Sequence, residues 1–311
     1  GTLYHVVGWQ PANPIAIAGM LDNPNRSYVT IVATKDNTHV EVTPYFDVMG
    51  STPPIPAGFG GVAPMDAETE YGFILNRYEV LNLENLEPPS LSELGSARMD
   101  PTGTIVESDL PVVVFSGADL AGVGGEIMPS GCGTGGDDCS CCMEHLEMQV
   151  IPKVAMGKRF VVNHSAFRGD SFIEPDHYRV LAVRDGTVVT TSLGSFPTFS
   201  LNENEWYDFY SQTGFTLEAS QPVQVVQLLV VQQQTEDYVG DPTMVPFPAV
   251  EERRSFYSFT TGLNFSEHWA VISMPEGTDA TLDGTDVASS CERHNDGSLG
   301  GQSYYSYYCP I

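Results

Sequence analysis

The sequence predicts an all-β fold of tandem β-sandwich-like modules, and three observations carry that expectation. A block recurs 111 residues after its first appearance, a hairpin pattern appears three times, and helical periodicity is scarce among 30 glycines and 22 prolines. The alternative is a propeller-like packing of the repeats, since groups of four strands also pack radially.

The recurring block reads Thr102-Gly103-Thr104-Ile105-Val106-Glu107-Ser108 and then Pro111-Val112-Val113-Val114. Its second copy reads Thr213-Gly214-Phe215-Thr216-Leu217-Glu218-Ala219 and then Pro222-Val223-Gln224-Val225. A β-branched run behind a proline suits a strand entered from a turn. Upstream lies an aromatic-led apolar run that closes on an acidic turn and a threonine: Tyr28 to Thr38, Tyr178 to Thr187 and Trp269 to Thr278. The turns are Asp36-Asn37-Thr38, Asp185-Gly186-Thr187 and Glu276-Gly277-Thr278, and each precedes a second short run, as in a hairpin. Between hairpin and proline-led strand, Phe73-Ile74-Leu75-Asn76 matches Phe199-Ser200-Leu201-Asn202.

These matches divide the chain into a first unit at 1–150, a second at 151–250 and the start of a third at 251–311. Thr38 and Thr102 lie 64 residues apart where Thr187 and Thr213 lie 26 apart, so the first unit holds an insertion of 38 residues. Insertions in repeat proteins gather on one face, often the face that meets a partner. Only 33 residues follow Thr278, without a proline-led strand, so the third unit is expected to be completed by further chain or by a neighbour. Tyr304, Tyr305, Tyr307 and Tyr308 are read as a strand awaiting the rest of its sheet.

Charge narrows the partners. With 40 acidic against 13 basic residues the net charge is −27, which repels phosphate backbones and anionic lipid surfaces. Nucleic acid and membrane insertion are therefore excluded as expectations, and no apolar run is long enough to span a bilayer. Acidic turns supply the hard oxygens that calcium takes, which makes Asp36, Asp185, Asp241 and Asp283 candidate calcium ligands. The plain alternative is that such aspartates cap turns.

Six cysteines fall as Cys132, Cys139, Cys141 and Cys142 together, and Cys291 with Cys309. An even number in a chain that reads as secreted points to disulfides, with Cys291–Cys309 the simplest pair and three pairings open in the cluster. Zinc held by Cys132, Cys139, Cys142 and His145 is the competing reading. A processed N-terminus is expected because the chain opens on Gly1. No G-x-S-x-G, H-E-x-x-H or Gly-Lys-Ser/Thr phosphate loop occurs, and the seven histidines are scattered, so an enzyme is not expected.

The stretch Glu144-His145-Leu146-Glu147-Met148-Gln149, followed by Ile151-Pro152, resembles the Asp-His-Leu-x-Glu-Gln motif of the family named for the N-terminal domain of IgG Fc-binding protein. Glu144 stands for the family's Asp and Met148 for its Glu. Gly240-Asp241-Pro242-Thr243-Met244, Val114-Phe115-Ser116-Gly117 and Leu282-Asp283-Gly284 are similar to further landmarks, so the resemblance covers nearly the whole chain. It implies a secreted or cell-surface binding or adhesive module without catalysis, meeting an extracellular protein or glycan. The alternative is a structural subunit of a surface fibre or layer, self-associating by strand addition from a neighbour.

Overall fold

A computed structural model of the chain describes residues 1–12, 24–51, 61–88, 97–124, 143–236, 238–263 and 265–311. The fold is all-β, as the sequence predicts; the single α-helix described is one turn, α1 (Val287–Ser290), whose N-cap Asp286 accepts from the Ser289 amide. Strand formation follows the period-two pattern, in which Val40 and Val42 point inward from Thr38–Thr43 while His39 and Glu41 point to water.

The first group of strands comprises β1 (Leu3–His5), β2 (Ser27–Ala33), β3 (Thr38–Thr43), β4 (Tyr71–Leu75), β5 (Val80–Glu84), β6 (Ile105–Ser108), β7 (Val112–Ala121) and β8 (Glu144–Gln149). They form two antiparallel sheets, ordered β1-β6-β3-β4 and β5-β2-β7-β8. Val29, Ile31, Leu81, Leu83 and Val114 from one sheet pack on Tyr4, Val40, Val42, Leu75 and Val106 from the other. A core between two facing sheets is a sandwich and not a single-sheet propeller blade.

The second group repeats this plan with β9 (Gly157–Val162), β10 (Asp176–Ala182), β11 (Thr187–Thr191), β12 (Thr198–Leu201), β13 (Trp206–Ser211), β14 (Phe215–Leu229) and β15 (Thr243–Pro246). Here the counterparts of β6 and β7 run on as one strand, β14, whose first half pairs β9 and β11 and whose second half pairs β10 and β15. Its register shifts between Glu218 and Val223, around the proline that the sequence repeat marks. Val114 pairs Ile31 and Val225 pairs Val180, so the 111-residue offset read in the sequence is an offset in the ladder.

That register also corrects the alignment of the hairpins by one position. Tyr28 opposes Gly117 as His177 opposes Leu228, so the counterpart of Tyr28 is His177, and the core residue Tyr178 answers to Val29. The shared aromatic lead is thus a coincidence of neighbouring positions, one facing outward and one inward.

The third group contains β16 (Trp269–Pro275), β17 (Thr281–Leu282), β18 (Thr285–Asp286), β19 (Glu292–Leu299) and β20 (Gln302–Pro310). Val271 pairs Tyr308 in the place that Ile31–Val114 and Val180–Val225 hold above. The tyrosine strand β20 is central, bonded to β16 on one side and β19 on the other, with Tyr304, Tyr307 and Tyr308 buried. A disulfide joins Cys291, at the end of α1, to Cys309.

Candidate functional site at the junction of the first two sandwiches

The two sandwiches meet over a second apolar cluster. Val7, Ala118, Ala121, Leu146 and Met148 of the first pack on Leu181, Val226, Leu228 and Met244 of the second. This seam explains why β10 is apolar on both faces: Tyr178 and Val180 fill its own core while Leu181 is covered by its neighbour.

Within the seam lies Arg179, 4% exposed. Its Nε and Nη2 donate to the two oxygens of Asp208, directly across the ladder, at 2.7 and 2.8 Å. Its Nη1 crosses to the first sandwich and donates to Asp100 at 2.6 Å, the Gly8 carbonyl at 2.8 Å and the Thr102 hydroxyl at 2.8 Å. The guanidinium stands 4.5 Å from the centre of the Trp9 ring and 5.4 Å from that of Trp206. Burial opposes its charge, but Asp100 and Asp208 outweigh that penalty and hold its pKa above the usual arginine range. The junction is therefore fixed in register by a planar group that only matched carboxylates satisfy.

Beside this anchor opens a cleft of about 590 Å3, lined on the first-sandwich side by Tyr45, Glu68 and Ile105 and on the other by Glu203, Asn204, Glu205 and Trp206. Glu68 belongs to the insertion of the first unit, and Asn204 to a tight turn with φ of +62°. Tyr45 meets Trp206 edge to face at 5.3 Å. His5 lies behind the wall, its Nδ1 2.6 Å from Asn204 Oδ1, with a pKa lowered by burial. Glu68 pairs with Arg98 at 2.6 Å and Glu203 with Lys153 at 3.5 Å. Glu205 accepts from the Asn202 amide at 2.7 Å and has no Lys or Arg partner among the described residues.

The four aspartates expected as calcium ligands stand in separate places. Asp36 accepts from the Arg77 amide at 3.0 Å, and its counterpart Asp185 accepts from the Glu203 amide at 3.0 Å, so each ties a hairpin turn to the next turn of its sandwich. Asp241 is exposed ahead of β15, and Asp283 holds a left-handed turn between β17 and β18. Among the described residues no group of three or more His, Cys, Asp or Glu side chains is placed to hold a metal. Of the six cysteines, Cys291 and Cys309 form the disulfide, while Cys132, Cys139, Cys141 and Cys142 lie outside the described residues.

The Glu144 to Gln149 motif is β8. Leu146 and Met148 face the junction, so the family's carboxylate position is occupied here by a buried apolar side chain. On the other face the Tyr28 hydroxyl donates to Glu147 at 2.9 Å and lies 3.2 Å from His145 Nε2. Sequence reasoning missed Arg179, Asp100 and Asp208; the available signal was a strand apolar on both faces with one arginine in it.

A family model described as IgGFc binding protein matches residues 1–309. No curated protein and no solved structure matches the chain.

Proposed function

Because the chain belongs to the IgGFc binding protein family, we propose that it is an extracellular binding module whose junction cleft takes a basic side chain presented by a protein ligand. One observation carries this reading: the cleft sets Glu205, which has no Lys or Arg partner among the described residues, beside Tyr45 and Trp206, where Arg98 stacks on Tyr45 at 4.8 Å and Arg179 on Trp206 at 5.4 Å as a further cation would. Cations bind such faces through the ring quadrupole and through charge, and a net charge of −27 steers them inward. The insertion, absent from the second sandwich, contributes Glu68 to the wall. The disulfide fits an oxidising compartment, and no described helix is long and apolar enough to cross a membrane.

The test is a binding screen of the whole chain against immunoglobulin Fc, mucin, an arginine-rich peptide and a glycan array, with and without calcium. Glu205→Gln is expected to weaken binding tenfold or more with an unchanged urea midpoint, and salt is expected to weaken the wild type. Binding that survives Glu205→Gln and Trp206→Ala, or that is confined to neutral glycans, defeats the proposal. A second reading, a fibre subunit closed by strand addition, is favoured by β16, which among the described residues is paired only with β20 where β2 and β10 are paired on both sides.

A further inference from the structure

The seam between the second sandwich and the third sheet is built differently from the first junction. Its apolar part is small: Val161 and Val250 against Leu299 and Tyr304. Phe167 of the second sandwich also stacks on Tyr308 at 5.3 Å and meets His294 edge to face at 5.3 Å, and polar contacts complete the seam. Tyr308 donates to the His164 carbonyl at 2.9 Å, Ser192 to the Asp296 carbonyl at 3.2 Å, and Thr216 to the Ser298 carbonyl at 3.2 Å. Arg253 bridges the Val161 and Ser273 carbonyls at 3.1 and 3.2 Å.

At the centre sits Asp296, 1% exposed, at an irregularity of β19. One carboxyl oxygen accepts from the Ser306 hydroxyl at 2.6 Å. The other is buried without a hydrogen-bond partner and lies against Gly214 of the second sandwich, where any Cβ would collide with it. The Val162 carbonyl borders the same space at Gly214, so the surroundings of that oxygen offer a carboxylate no donor. The charged and titratable groups nearby are committed elsewhere. Arg253 serves two carbonyls, His164 has both ring nitrogens at the Ser165 and Glu174 carbonyls, and Asp176 takes the Ser165 amide and Gln227. Glu174 pairs with Arg168, His294 pairs with Glu292, and the Tyr178 hydroxyl donates to the Asn163 carbonyl.

We infer that this seam is a proton-operated latch, in which the third sheet docks on the second sandwich while Asp296 carries a proton and loosens when Asp296 ionises. Burial raises the Asp296 pKa to about 7, against the smaller pulls of Ser306 and Arg253. Undocked, the carboxyl returns toward the ordinary aspartate value of about 4. The docked form thus holds a proton that the undocked form releases. Docking is strongest below the ordinary value, weakens by up to about tenfold per pH unit as pH rises to 7, and changes little beyond.

Small-angle scattering and hydrogen exchange on the whole chain across pH 5 to 9 test the latch. Wild type is expected to expand, with exchange in Glu292–Leu299 rising tenfold or more after correction for intrinsic rates. Asp296→Asn should stay compact throughout, and Ser306→Ala, which removes a donor to the ionised docked form, should open the seam further than in the wild type at and above pH 7. A seam unresponsive to pH in the wild type, or an Asp296→Asn protein with the wild-type transition, overturns the inference.

Discussion

Arg179 shows what one buried charge does in this molecule. Its guanidinium meets two carboxylates, a carbonyl and a hydroxyl drawn from both sandwiches, so removing it takes the shared cation from Asp100, which keeps its Thr102 bonds, and from Asp208, which water reaches. Arg179→Ala is expected to lower stability by about 1 to 3 kcal/mol in urea unfolding, less than for a fully buried ion pair because water reaches Asp208 and Thr102 keeps Asp100. Arg179→Lys should fall between, because an ammonium keeps the charge but cannot make the two-pronged bond to Asp208. A loss below about 0.5 kcal/mol for Arg179→Ala would mean that the junction is held by its apolar cluster alone. None of this was legible along the chain, since Asp208 lies 29 positions away and Asp100, within the insertion, 79. Asp36 and Asp185 were legible, as turn residues, because their partners are turns of the same sandwich and the pattern occurs twice.

At the level of strands and turns, repetition made the fold readable. Asn37, Gly186 and Gly277 occupy matched turns with positive φ, and Tyr78 and Asn204 do so in the next turn, so the local chemistry recurs even where side chains differ. Register was less readable: a period of two hides a slip of one, which is why Tyr28 and Tyr178 looked equivalent until their ladder partners were known. The third sheet was the hardest, because β20 occupies the place of the proline-led strand without its proline and is reached through a hairpin with β19. The edge of β16 separates the two functional readings. His268 and Glu276 bond toward β20, so in an alternating ladder Trp269, Val271 and Ser273 face outward, and the Ser273 carbonyl already accepts from Arg253. That leaves an edge two residues long, which is little to template a strand. Sedimentation at micromolar concentration is therefore expected to give a monomer of 33.8 kDa. Larger species that vanish in Val271→Pro, which lacks the outward N–H, would establish strand addition instead.

Charge acts on the molecule as a whole. A net charge of −27 repels itself in the compact state, and several of the 13 cations are committed: Arg179 and Arg253 at the two seams, and Arg98, Lys153 and Arg159 to single glutamates. Screening should relieve the repulsion between exposed carboxylates while leaving the buried Arg179 pairs nearly intact, since salt shortens the Debye length from about 20 Å in dilute buffer to about 6 Å at a few tenths molar. The melting temperature is accordingly expected to rise by a few degrees when sodium chloride increases over that range, the opposite of what a fold held by exposed ion pairs would show. Calcium at matched ionic strength should do no more than sodium if Asp36 and Asp185 are turn caps, because a capping carboxylate already spends its oxygen on an amide. A further rise specific to millimolar calcium would mean that acidic loops gather around a cation after all, and a fall with sodium chloride would mean that surface pairing outweighs repulsion.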